Sequence, residues 1–210
     1  NDLPWRAVSA SLIRLSIDND GFVDLNEMET LLSEYNHKYL FGKKRIRIVA
    51  ISGASNVLGV YNDLEEVSRI VHRYGARLLV DAAQMAAHRN IRIEQCGIDY
   101  LAFSAHKVYA PFGTGVLVVR KGLLNFQTEE MEQIRQSGEE NVGGIAGLGK
   151  ALVLLKKVGM DLIREEEQAL TRRTLLGMGQ INGLQIYGIN DPSSPRFTQK
   201  GGVIVFSLKG

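Results

Sequence analysis

Apolar positions alternate between strand-like and helix-like spacing along most of the chain. Residues 78–80 (Leu-Leu-Val), 100–103 (Tyr-Leu-Ala-Phe) and 116–119 (Val-Leu-Val-Val) are short continuous apolar runs, the pattern of strands covered on both faces. Residues 12–17 and 45–51 read as two further strands. Between them lie helical patterns. Residues 1–9 read as the end of a helix, and Asp18-Asn19-Asp20-Gly21 is a turn leading into a helix over 24–35. In 63–74, Leu64, Val67, Ile70 and Val71 share one face and Gly75 supplies a C-terminal stop. This alternation predicts an α/β fold, a mostly parallel sheet flanked by helices, with ligands at the carboxyl ends of its strands. Beyond Asn141 the pattern becomes two helices, 144–158 and 161–178, followed by strands at 184–187 and 203–208. It predicts the start of a smaller α+β domain, so the expected division is a large domain over 1–158 and a second unit over 159–210.

Bulk properties narrow the function classes. The 210 residues are 45% hydrophobic with a formal net charge of +2, and the charges are interspersed, so neither nucleic acid nor an anionic membrane surface is indicated. No apolar run approaches the roughly 18 residues of a membrane span, and no signal-peptide pattern opens the chain. A single cysteine excludes an internal disulfide and fits a reducing compartment, so a cytoplasmic location is expected. The chain starts without Met and stops just after an apolar run, which suggests a piece of a longer protein.

Two motifs resemble ligand sites without their essentials. Residues 16–27 place Asp18, Asp20, Asp24 and Glu27 at calcium-loop spacing, but Ser16 stands where the first acidic ligand belongs and a strand precedes it where an EF-hand needs a helix. Gly144 to Lys150 has P-loop spacing, yet Ala151 replaces the magnesium-binding hydroxyl and no strand precedes it, so a closely packed helix start is expected. Cys96 has no neighbouring His or Lys to depress its pKa and reads as a structural thiol. His37, His72 and His88 read as surface or capping residues.

The chemistry-bearing residues sit at predicted strand ends. Asp81 ends one apolar strand and Lys107 follows another, and together they suggest a pyridoxal phosphate (PLP) site. A desolvated lysine can form a Schiff base with an aldehyde, while an aspartate facing it can keep a pyridine nitrogen protonated. Gln84 is suited to a phenolate oxygen, Ser104 and His106 to a phosphate ester, and Asn56, from a third loop, to the same ring edge. Singly, each has a plain turn or capping explanation; jointly they point to one cofactor.

Ser55-Asn56-Val57-Leu58-Gly59, Val80-Asp81-Ala82-Ala83-Gln84, Ser104-Ala105-His106-Lys107 and Gly143-Gly144-Ile145 together resemble the cysteine desulfurase and selenocysteine lyase branch of the class V aminotransferase family, PLP enzymes of fold type I. The resemblance runs from Asn1 to Leu208. It implies a homodimer with Lys107 as the Schiff-base lysine, Asp81 on the pyridine nitrogen, Gln84 and Asn56 near the phenolic oxygen, and Ser104 and His106 on the phosphate. It further implies an amino-acid substrate, cysteine or selenocysteine, and a sulfur-acceptor protein as partner. The family's stacking histidine and phosphate-binding turn come before the first residue here, and its persulfide cysteine and substrate-binding arginine after the last. Two departures stand out: Gly138-Glu139 occupies the place of a Gly-Thr pair, and Gly53 that of a bulkier polar residue. The alternatives are a class V aminotransferase, lyase or epimerase acting on another amino acid, and a PLP-fold segment without catalysis.

Overall fold

A computed structural model of the chain describes residues 3–9, 11–136 and 140–208; Gly138-Glu139 lies outside these. Helices α1 (Leu3–Val8) and α2 (Leu25–Leu32) precede strand β1 (Ile48–Ser52), and α3 (Leu64–Arg73) links β1 to β2 (Arg77–Asp81). Strands β3 (Tyr100–Ser104) and β4 (Gly115–Val119) complete a four-stranded sheet of order β1-β2-β3-β4. Helices α4 (Thr128–Gln136), α5 (Val142–Val158) and α6 (Met160–Met178) follow, then a two-stranded antiparallel sheet of β5 (Leu184–Ile186) and β6 (Phe206–Leu208).

Strands β1, β2 and β3 run parallel, in register Ile51↔Val80 and Val80↔Leu101. Because side chains alternate along a strand, Val49, Ile51, Leu78, Val80 and Leu101 share one face. They are buried there with Met28 and Leu32 of α2 and with Leu64, Val67, Ile70 and Val71 of α3. Asp24 and Asp63 cap these helices, accepting first-turn N–H groups at 3.0 and 3.1 Å.

Four expectations need correction, and one helix was not expected. The sheet is sealed on one face rather than two: Ile48 and Leu117, on the alternate positions, are exposed. β4 pairs antiparallel with β3 as an edge strand, and Leu117 is 60% exposed, so its apolar run does not mark burial on both faces. Residues 12–17 form no strand; only Ile17 bridges to Val23, and extended backbone without a partner strand makes no ladder. The helix expected over 24–35 turns into a π-helical segment (Ser33–His37) after Leu32, where Asn36 leaves the helical pattern to bond Ile46 and Tyr74 backbone. Helix α4, rich in Glu and without a buried residue, carries no apolar face by which it could be anticipated.

The two motifs set aside resolve physically. Asp18 and Asp20 hold the Arg196 guanidinium at 2.6 and 3.2 Å. Gly144 to Lys150 lies inside α5, where a Cβ on Gly147 would come within 2.9 Å of Pro111, so small residues there serve close packing.

Candidate active site

The parallel order of β1, β2 and β3 brings three chain turns to one sheet edge. Asp81 closes β2 opposite Ala102, and Ser104 closes β3. By alternation both belong to the face opposite the sealed layer. The Asp81 carboxylate accepts the Ala83 N–H at 2.9 Å, tightening the turn that carries the half-buried Gln84.

Lys107 lies one turn beyond β3, in the 3-10 helix Ala105–Val108. Ala105 and Val108 are fully buried against Leu148, Ala151 and Leu155 of α5. Positions three apart eclipse in such a helix, so the apolar pair anchors one side and leaves His106 and Lys107 exposed on the other. The turn ends at Tyr109 with φ 66°, a left-handed conformation unusual for a bulky residue. His106 stacks on Phe112, ring centroids 4.9 Å apart; Phe112 went unnoticed in the sequence, where one aromatic in a Pro/Gly loop gives no periodic signal.

Asn56 is exposed in the turn after β1. The Ser55 hydroxyl accepts the Leu58 N–H at 3.0 Å, and the Ser55 N–H donates to Val60 O at 2.8 Å. All six predicted site residues thus stand on turns at or just past the carboxyl ends of β1, β2 and β3. Their chemistry matches the parts of PLP: an amine for the aldehyde, a carboxylate for the ring nitrogen, amides for the phenolic oxygen, and a hydroxyl and imidazole for the phosphate.

Behind this edge lies a charged cluster absent from the sequence reading. Glu167 of α6 meets Arg89 at 2.6 Å and His88 at 3.2 Å and accepts the Gly202 N–H at 3.2 Å. Burial alone would raise its pKa, but the His88 and Arg89 hydrogen bonds bring it down to about 2. Arg89 also stacks over Tyr61 at 4.0 Å. Burial pushes the Tyr61 phenol up to about 12 and the Lys200 ammonium down to about 8, the latter against the pull of Glu167. His72 likewise has a partner, Asp99 at 2.6 Å, and its ring faces the Ser68 hydroxyl at 3.3 Å. The surface or capping role read for His72 and His88 is therefore corrected. The one available signal was Asp99 itself, an acid opening an apolar strand, which needs a partner once buried. Ser68 is itself buried and donates to Gly97 O, which makes this trio a structural brace. Cys96 is half-buried, and burial, reinforced by Glu65, pushes its thiol pKa up. Among the described residues no helix is long and apolar enough to cross a membrane.

Residues 1–208 match the family described as Aminotransferase class-V. The chain is 31% identical over 232 residues to a probable cysteine desulfurase of Halalkalibacterium halodurans, covering 100% of this chain and 53% of that protein. It is 32% identical to a cysteine desulfurase of Enterobacter sp., covering 99% and 53%. Its fold superposes on the apo cysteine desulfurase of Thermococcus onnurineus NA1 with a TM-score of 0.79 at 26% identity, covering 100% of this chain and 54% of that one. The chain spans about half the length of the curated relatives it matches.

Proposed function

Because the chain belongs to the class V aminotransferase family, we propose that it carries the cofactor-holding part of a PLP enzyme of the cysteine desulfurase kind, acting on L-cysteine or selenocysteine. The observation that carries this reading is the parallel register of β1, β2 and β3, which gathers Asn56, Asp81 and Lys107 at one edge. When bound, PLP supplies an electron sink for the pair left on the substrate's α-carbon. Lys107 would supply the amine that holds the aldehyde and the group that would move a proton at that carbon. Asp81 keeps the proton on the ring nitrogen by a charge-assisted hydrogen bond. Gln84 and Asn56 donate to the phenolic oxygen, and Ser104 and His106 to the phosphate. Cys96, half-buried and with its thiol pKa pushed up by burial, is read as structural rather than as the sulfur-accepting thiol. The wider reading is a cytoplasmic homodimer that hands sulfur to an acceptor protein, with the second unit starting near Gly159, where the backbone breaks between α5 and α6 at φ 96°.

The test is borohydride reduction of the PLP-treated protein followed by peptide mapping. A phosphopyridoxyl group on Lys107, lost in Lys107→Ala, is the expected result. A label confined to another lysine, or persisting undiminished in the variant, refutes the assignment.

A further inference from the structure

Among the described residues Lys200 is the largest side chain buried to below 2% exposure, with 1% of its surface exposed. A buried ammonium normally needs a carboxylate. Its hydrogen-bond partners among the described residues are instead two carbonyl oxygens, Leu58 O at 2.7 Å and Val203 O. Leu58 follows Asn56 by two positions, in the turn that ends β1. Around this ammonium the same turn is stitched to the 199–203 segment by backbone. Tyr61 N–H donates to Gln199 O at 2.9 Å, Gly201 N–H donates to Gly59 O at 2.6 Å, and Val60 bridges to Lys200. Gly59, at φ 65°, lies so close that a Cβ would come within 2.6 Å of Val203 O. The turn bearing Asn56 is therefore held from inside by a charge that enters the sequence more than a hundred residues later.

A carbonyl that accepts from a desolvated ammonium has few other positions open to it, because moving away leaves the charge unpaired. The Leu58 carbonyl and the peptide it belongs to are fixed, and with them the arc of backbone from Ser55 to Gly59. We propose that Lys200 is a positioning residue for the cofactor: its buried ammonium sets the Ser55–Gly59 turn so that Asn56 is presented at the sheet edge beside Asp81 and Lys107. This rests on the PLP reading above. It adds a residue from the second unit that never touches the cofactor and acts through the Leu58 carbonyl.

The test uses the whole chain in four forms: wild type, Lys200→Met, Asn56→Ala and the double variant. Two quantities are read: amide hydrogen exchange across residues 55–61 without added PLP, and the PLP dissociation constant from visible absorbance. A charged hydrogen bond in a dry site corresponds to roughly ten- to a hundredfold. Exchange of the 55–61 amides is therefore expected to accelerate by about that factor in Lys200→Met. PLP binding should weaken as much as in Asn56→Ala, and the double variant should be no worse than either single one, since both changes remove the same contact. Unchanged exchange across 55–61, or losses of affinity that add in the double variant, overturn the proposal. Should Lys200→Met lack a cooperative unfolding transition, Lys200→Gln, which keeps an N–H₂ group but not the charge, is judged by the same two measurements. Wild-type protein that forms no visible-absorbing adduct with PLP fails the cofactor reading and this role with it. Wild-type protein that binds PLP while both Lys200 variants leave exchange and affinity unaltered fails the Lys200 role alone.

Discussion

Replacing Glu167 by Gln removes the one carboxylate that faces Arg89, His88 and the Gly202 N–H together. The side chains of Glu167 and Arg89 are only 14% and 10% exposed, so solvent screens the pair weakly. The Glu167 pKa falls from 4.5 to about 2; at about 1.4 kcal/mol per unit this corresponds to about 3 kcal/mol of stabilisation at neutral pH. The figure agrees with the roughly 3–5 kcal/mol lost when one member of a buried pair is deleted. The variant also leaves Arg89, whose Nη2 already lacks a hydrogen-bond partner among the described residues, without the carboxylate it pairs with. Urea denaturation at pH 7 should show Glu167→Gln less stable by about 3 kcal/mol, a fall in Tm of roughly 6–12 °C for a chain of this size. The sign of the pH dependence follows from a depressed carboxylate. The contribution is complete above the unfolded pKa near 4.5 and disappears as pH falls from there through about 2. The gap between wild type and variant should close over that window. A gap that stays constant from pH 7 to pH 2, or one below about 0.5 kcal/mol at pH 7, refutes the reasoning.

Asp99→Asn should cost about 3 kcal/mol in the same denaturation assay, because the buried carboxylate takes the Leu78 N–H and the His72 ring and lies 3.4–3.5 Å from Arg120 and Arg77. Burial opposes its ionisation, but these partners hold its pKa below the usual range, so this contribution too is lost only as pH falls through and below the carboxylate range. Gly59→Ala should destabilise by about 1–3 kcal/mol, since alanine meets both a left-handed backbone and the Val203 carbonyl; a thermal midpoint equal to wild type would contradict this.

The strand ends that carry the candidate residues were legible because local signals suffice for them. An apolar run ending in Asp81 and another leading to Ser104 and Lys107 announce strand ends, and parallel connection then forces those ends to one edge. The antiparallel, exposed β4 was not legible, since Val116–Val119 has the same apolar composition whether its faces are covered or bare. Still less legible were the buried charge contacts, which join positions far apart in the chain: 27 residues for the His72–Asp99 pair, 78 for the Arg89–Glu167 pair and 142 for the Lys200 hydrogen bond to Leu58 O. Periodicity carries no information at such separations. A histidine in an amphipathic helix looks the same whether water or a buried carboxylate faces its ring.

The cost of deleting one of these buried charges overstates what the intact pair adds relative to an apolar pair, because desolvation consumes much of what the partners return. What such charges do well is select one arrangement among several. Asp99 illustrates this at the start of β3: its N–H donates to Leu78 O while its side chain takes the Leu78 N–H, so both backbone groups of Leu78 are occupied by a single residue. That double bond fixes the register of β3 against β2 at Leu79↔Tyr100. A slip of one residue would turn every side chain on β3 to the opposite face, moving Ser104 away from the face that carries Asp81 and shifting the turn that holds Lys107. Lys200 does for the Asn56 turn what Asp99 does for the register. The aligned edge of β1, β2 and β3 is thus specified from both ends of the sheet: by a carboxylate where β3 begins, and by an ammonium behind the turn where β1 ends. Neither touches the candidate site, yet removing either one leaves its buried partners unpaired and loses the alignment on which the site depends.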